Sequence, residues 1–277
     1  MTGKRKVTLA VMAVLLLVLA VWIFHGNTVL ELTQYEVTSE YLPESFSGYR
    51  IAQISDLHNA QMGEENRQLL SLLRETQPDI IVMTGDLIDS RHTDIDVALR
   101  FAKEAAGIAP CYYVTGNHEV RIAELSYLLD GLTESGVAVL RNETAILRRG
   151  TEEIALVGVD DPAFGTRLVQ GEPKALPEII PENGFTVLLS HRPEDFDDYV
   201  ECGVDVAFTG HAHGGQIRLP FIGGIYAPGE GFFPEYDSGV YTSGRTNMVV
   251  SRGIGNSLFP FRVNNPPELV LVTLFSA

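Results

Sequence analysis

The hydrophobic pattern changes period along the chain, and each change marks an element. Residues 7–24 form eighteen positions with no charge, apolar on every face. As a helix, such a run spans roughly 27 Å, about the hydrocarbon thickness of a bilayer. Lys4-Arg5-Lys6 precede it and predict that the N-terminal end stays in the cytoplasm. A cleaved signal peptide is the alternative, but its apolar region is usually shorter, and no A-x-A site precedes His25-Gly26-Asn27. The reading preferred is an uncleaved signal anchor over residues 1–27, single-pass in the cell membrane. Residues 28–277 then form one domain on the extracytoplasmic side.

Beyond the anchor, residues 27–38 read as a connector and a β-rich segment. A short strand over 50–55 follows, and a helix over 64–76 with Leu69, Leu70, Leu72 and Leu73 inward is stopped by Pro78. Residues 79–84 are a buried strand. Thr93 or Asp94 can cap a helix whose apolar positions Ile95, Ala98, Leu99, Ala102 and Ala106 keep the helical period, closed by Gly107. A strand over 111–115, a helix over 121–135, and strands over 137–140 and 153–159 come next. Residues 162–184 are irregular. Strands follow at 185–190 and 204–209. Residues 219–239, rich in Gly, Pro and aromatics, read as a long surface loop, and strands at 248–251 and 268–275 finish the sheet. The first half alternates strand and helix, which implies parallel strands; the second is strand-rich with short connections, which implies antiparallel pairing. The expected fold class is α/β (α+β): a two-layer mixed β-sheet core flanked by helices, with an N-terminal transmembrane helix.

Charge narrows the partners. The net charge is −16, and Lys4, Arg5 and Lys6 are the only charges in the first thirty residues, so the remainder is more acidic still. Nucleic acid needs basic surface to displace counterions, so no nucleic-acid binding surface is expected. The same charge argues against the domain lying flat on anionic lipid. Cys111 and Cys202 could pair in an exported protein but are read as two buried free thiols, and a monomer is expected.

The chemistry gathers at strand ends. Five predicted strands are followed by Asp56-Leu57-His58, Gly85-Asp86, Gly116-Asn117-His118-Glu119, His191, and Gly210-His211-Ala212-His213. Ligands of α/β sheets bind outside the carboxyl ends of strands, so these groups can share one rim. Carboxylate, imidazole and amide oxygen together suit Mn, Fe or Zn better than Ca. There are too many donors for one ion. Two divalent ions about 3.5–4 Å apart are expected. Gly210, Gly214 and Gly215 are expected to give the last turn its backbone freedom. The bland alternatives are turn and helix-cap chemistry for Asp56, Asp86 and Asn117, and an orienting role for His118.

These five motifs, in this order, resemble the calcineurin-like metallophosphoesterases from about Arg50 to the C-terminus. The anchored start, His191-Arg192-Pro193 and the Gly-His-x-His-Gly-Gly-Gln form resemble the bacterial YkuE-like branch. The resemblance implies one metal on Asp56, His58, Asp86 and His213. It implies a second on Asp86, Asn117, His191 and His211, with Asp86 shared. It further implies that a metal-bridging hydroxide attacks a phosphodiester and that His118 serves the leaving oxygen or the phosphate. Asp89 and Glu119 read as supporting groups. Asn59, His92 and Arg192 lie close enough to contact a phosphate-ester substrate, a solvated loop being the alternative. The ligands do not separate a phosphodiesterase from a phosphomonoesterase or a hydrolase of lipid-linked or nucleotide-sugar pyrophosphates. A non-catalytic metal-binding scaffold of the same fold is the reading from another class.

Overall fold

The computed structural model describes residues 3–165, 179–181, 183–228, 230–256 and 259–277. Most of the irregular segment expected at 162–184 lies outside them. In chain order the helices are α1 (Gly3–Thr28), α2 (Arg67–Glu75), α3 (Ile95–Ala106), α4 (Leu125–Glu134) and α5 (Phe196–Glu201). The strands are β1 (Glu31–Ser39), β2 (Tyr49–Ile54), β3 (Ile80–Thr84), β4 (Cys111–Val114), β5 (Val137–Val139), β6 (Glu143–Arg149), β7 (Glu152–Gly158) and β8 (Thr186–Leu189). They continue with β9 (Val206–Thr209), β10 (Arg218–Leu219), β11 (Gly223–Gly224), β12 (Tyr226–Ala227), β13 (Gly231–Phe232), β14 (Gly239–Ser243), β15 (Thr246–Val250) and β16 (Glu268–Ser276).

Two six-stranded sheets stack face to face, ordered β1-β16-β2-β3-β4-β5 and β14-β15-β9-β8-β7-β6. The strand period of two explains the layering. In β2, Ile51 faces the inter-sheet core while Ala52 faces the outer core under α2, α3 and α4. In β9, Val206 and Phe208 face inward while Ala207 joins the cluster under α5. Both sheets are thus covered on both faces, as the near-continuous apolar runs of β3 and β8 require.

Several sequence expectations change. The second sheet is not mainly antiparallel: β7, β8, β9 and β15 are successive parallel neighbours. Within this sheet, among the described residues, the hairpins are those made by the two-residue turns at Gly150-Thr151 and Gly244-Arg245. Those hairpins also add β6 and β14, which the pattern did not single out. The helix over 64–76 begins at Arg67, because the Asn66 amide bonds Met62 N at 2.8 Å and Ala60 O at 3.2 Å. The helix over 121–135 begins at Leu125, a 3-10 turn occupying Glu119–Arg121. The loop at 219–239 contains two small hairpins, β10–β11 and β12–β13. Asp94 caps α3 as expected, accepting from Val97 N at 3.4 Å. Cys111 and Cys202 are free, but only Cys111 is buried, Cys202 being partly exposed just after the end of α5.

After its basic first turn α1 is apolar and largely exposed until its last turn, where Gly26 is buried against the domain. Its Val7–Thr28 span has a mean hydropathy of 2.9 and could anchor the protein in a membrane.

Candidate metal centre

The carboxyl ends of β2, β3, β4, β8 and β9 meet at one end of the sandwich. They bring together all eight residues expected to bind metal or act in catalysis. Asp56, His58, Asp86, Asn117, His118, His191, His211 and His213 are all buried. Their ligand atoms form three overlapping groups: Asp56, His58 and His213; His58, Asp86 and His118; Asp86, His191 and His211. Within each group the donor atoms lie within 4.8 Å of one another. Asp86 Oδ2 is 3.3 Å from His191 Nε2 and 3.5 Å from His58 Nε2. Asp56 Oδ1 is 3.3 Å from His213 Nε2, and the His58 and His213 Nε2 atoms are 3.1 Å apart.

The local backbone that delivers these groups is unusual. Asp56, His58, Asp86, His211 and His213 all have positive φ, between 46° and 64°. Non-glycine residues enter this region at a cost, and such strain gathers at functional sites. His211 and His213 therefore do not share a side as alternate residues of a strand would. His213 joins Asp56 and His58, while His211 lies 3.2 Å from His191 through Nδ1. Gly214 and Gly215 have positive φ, but Gly210 does not. Its role is close approach: a Cβ there would overlap Ser55 Oγ and Asp56 Oδ2.

Each carboxylate divides its oxygens between scaffold and cluster. Asp56 Oδ2 accepts from Ser55 Oγ at 2.6 Å and His211 N at 3.1 Å, while Oδ1, which shares the His211 amide at 3.2 Å, faces His58 and His213. Asp86 Oδ1 accepts from His118 N at 2.8 Å, leaving Oδ2 toward three imidazoles. His191 Nδ1 donates to Thr84 O at 2.8 Å, so Nε2 is the nitrogen that faces the cluster. His118 has the opposite arrangement. Its Nδ1 accepts from Ser90 N at 3.0 Å, so the neutral ring carries its proton on Nε2, 4.0 Å from Asp86.

Charge follows the geometry. Burial works against ionisation of Asp56 and Asp86, yet the surrounding histidines, His213 for Asp56 and His191 for Asp86 foremost, hold both below the usual carboxylate range. Burial would lower His191, but Asp86 outweighs it and pushes the ring up to about 10. Burial lowers His118 to about 4 and His213 to about 3.

The donors fit a divalent cation. Asn117 Oδ1 is buried with no hydrogen-bond partner among the described residues, an orphan acceptor that a cation would satisfy. The close Nε2 atoms of His58 and His213, flanked by carboxylate oxygens, likewise need a positive charge between them. Imidazole, carboxylate and amide oxygen together suit a transition metal.

Of the three residues expected to lie close to substrate, His92 is exposed, and the other two sit differently. Asn59 Nδ2 donates to His92 O at 2.6 Å, and its Oδ1 is unpartnered among the described residues. Arg192 is clamped to Asp161 at 2.6 Å and to Glu194 at 3.1 Å, with Nη1 2.8 Å from His211 Nε2. Its charge is thus largely taken up by the protein. Sequence reasoning missed Arg262, which is fully buried with Nη2 3.4 Å from His213 Nδ1. A signal existed: it is the one charged residue between Gly253 and Pro267.

Comparison with known proteins agrees with this geometry. Residues 49–215 match the family described as Calcineurin-like phosphoesterase. The uncharacterized metallophosphoesterase YkuE of Bacillus subtilis is 31% identical over 255 residues, covering 89% of this chain and 86% of its own. The phosphodiesterase YaeI of Escherichia coli is 27% identical, covering 84% of this chain and 85% of its own. A transmembrane protein with metallophosphoesterase domain from Danio rerio is 30% identical, covering 87% of this chain and 56% of its own. With a matching profile over more than half its length and a relative of this similarity, the chain belongs to the calcineurin-like phosphoesterase family and is a metal-dependent hydrolase of phosphoesters.

Proposed function

We propose that the protein is an extracytoplasmic phosphodiesterase with two divalent ions, anchored by residues 1–27 with residues 28–277 as its catalytic unit. The observation that carries this is Asp86, whose Oδ2 faces donors of two separate groups. One ion would be held by Asp56, His58, Asp86 and His213, the other by Asp86, Asn117, His191 and His211. Mn, Fe and Zn all suit the donors. Such a pair supplies an activated water and neutralises phosphate charge. The protein's part is positional. Ser55, Thr84 and the His118 and His211 amides fix the donors. His118, neutral with its proton on Nε2, faces the same space and serves as donor to the phosphate or the leaving oxygen.

The diesterase preference is supported by the name of the Escherichia coli relative, and the outward orientation by Lys4-Arg5-Lys6 ahead of the helix. Hydrolysis of bis-p-nitrophenyl phosphate and p-nitrophenyl phosphate by the Mn²⁺-loaded protein tests the chemistry. The diester is expected to be cleaved faster; no turnover of either, with metal bound, would sink the enzymatic reading. Protease added to intact cells should release the domain, and protection would overturn the orientation.

A further inference from the structure

The metal-bearing rim and the end of α1 are the same end of the molecule. β16 is antiparallel to β2, with Val270 opposite Gln53, so the start of β16 lies beside the end of β2 that leads into Asp56. β1 is parallel to β16, with Glu31 opposite Glu268, so β1 also starts at that end. α1 enters β1 from there. Its last turn is fixed to the domain: Asn27 Oδ1 accepts from Arg262 N at 2.7 Å, and Asn27 Nδ2 donates to Arg262 O at 2.9 Å. Arg262 is the residue whose guanidinium reaches His213. Helix end and metal centre are thus one buried arginine apart.

Around this junction the surface is apolar to a degree found nowhere else on the described domain. Phe221 is fully exposed, Phe232 is 74% exposed, Phe233 63% and Ile222 60%, with Phe259 and Phe261 partly exposed. They form one patch. Tyr226 packs edge-on against Phe232 at 5.4 Å and Phe259 at 6.1 Å. The β10–β11 hairpin that bears Phe221 and Ile222 is tied to the Arg262 segment by the Ile217–Val263 bridge and by Arg218 N donating to Val263 O at 3.0 Å. Neither burial nor backbone accounts for the tips. Phe221 and Phe233 stand exposed at φ of 66° and 58°, where a bulky residue is strained.

Charge singles out the same face. Residues 219–233 carry one charge, Glu230, and residues 253–267 carry one, the buried Arg262, in a chain of net charge −16. These two sparsely charged segments lie beside the point where a bilayer-length helix leaves the domain, with Glu31 and Glu230 the acidic residues nearest to it. Exposed aromatics beside a membrane-length helix match the interfacial layer of a bilayer, where such rings settle.

We propose that this aromatic rim is seated in the interfacial layer of the membrane that α1 enters, so that the metal centre acts on phosphodiesters carried by membrane lipids. The substrate clause rests on the phosphodiesterase reading above; the seating does not. The global acidity argues against lying flat on anionic lipid, but the contact is made by the neutral rim alone.

The full chain in phosphatidylcholine nanodiscs, with plain or brominated acyl chains, tests the seating. In a Trp22→Phe background, a tryptophan placed by Phe221→Trp should be quenched by the brominated lipid. One placed by Ile146→Trp, in the middle of edge strand β6, should not. If position 221 stays open to iodide, or is shielded from both quenchers as by a second copy or a protein partner, the seating is wrong. For the substrate, ethyl p-nitrophenyl phosphate in solution and hexadecyl p-nitrophenyl phosphate in the nanodisc are compared with Mn²⁺ present. The Phe221→Ser/Ile222→Ser variant should keep the wild-type rate on the ethyl diester and lose about tenfold on the hexadecyl diester. Equal effects on both diesters overturn the lipid assignment. If neither is cleaved by the wild type, the phosphodiesterase reading fails, and the quenching result still decides the seating.

Discussion

Two residues that touch each other in the centre have separable roles. Asp86 offers Oδ2 to three imidazoles, while its Oδ1 is held by the His118 amide. Truncating it removes the shared donor and leaves His191 and His58 without their anion. His118 has Nδ1 held by Ser90 and Nε2 facing the cluster, and it is not needed to complete either proposed ligand set. Asp86→Ala is therefore expected to lose both ions and all activity. His118→Ala should retain metal, measured by elemental analysis after gel filtration, and lose about 10²–10⁴-fold in kcat, the usual range for a general acid. Loss of metal from His118→Ala would instead make it a ligand, a role its 4.0 Å separation from Asp86 leaves it close enough to fill.

Among the elements, the strand-end loops are held in register by a side chain that binds no metal in this scheme. Glu119 is fully buried and accepts from Asp86 N at 3.0 Å, Leu87 N at 2.8 Å and Gly116 N at 2.8 Å. It joins the loop after β3 to the loop after β4, and it pulls residues 119–121 into the 3-10 turn that delays α4. Burial, with Asp86 adding to it, pushes its carboxyl up to about 7, so the three amides only partly offset the cost of the charge. In Glu119→Gln one acceptor oxygen becomes an NH₂ that faces at least one of these donors. The expected result is a stability loss of about 1–3 kcal/mol in urea and a metal affinity weaker by roughly 10–100-fold. Unchanged metal affinity would show that the loops hold their shape without it. This residue also marks where sequence reading stops. That strand ends carry the chemistry was legible, because each apolar run halts on a polar ligand type. So was an N-terminal helix long and apolar enough to cross a membrane, from the length of its uncharged run. What was not legible depends on contacts across the fold. The start of α4 is set by a bond from Glu119 to the β3 loop, and Gly210 is required by Ser55, 155 positions earlier. Arg192 looked free beside its motif, but Asp161 claims it from another loop. The parallel order of β7, β8, β9 and β15 was hidden because short apolar runs pair equally well either way until the crossovers are placed.

For the molecule as a whole, the centre sits where the two sheets meet. The first sheet supplies Asp56, His58, Asp86 and Asn117, and the second supplies His191, His211 and His213. Each of the two proposed ligand sets draws on both sheets, so the unfolded chain, or a chain with one sheet frayed, would hold neither set complete. Without ions the same end of the molecule carries two buried carboxylates, an orphan amide oxygen and two imidazole nitrogens 3.1 Å apart. Ions that bind only the assembled end stabilise it by about 2.7 kcal/mol for each site at a free concentration of one hundred times Kd. For two sites in a chain of this length that is a Tm rise of roughly 10 °C. Thermal unfolding of the EDTA-stripped protein should therefore shift upward on adding Mn²⁺ and remain one cooperative transition, because the proposed pair would clamp both sheets. In Asp86→Asn the shift should fall by more than half, since the lost oxygen serves both ions. A metal-independent Tm, or an equal rise in wild type and variant, would show that the donors lie close without forming a joint site. A second, separate transition appearing with metal would show that the ions belong to one sheet alone.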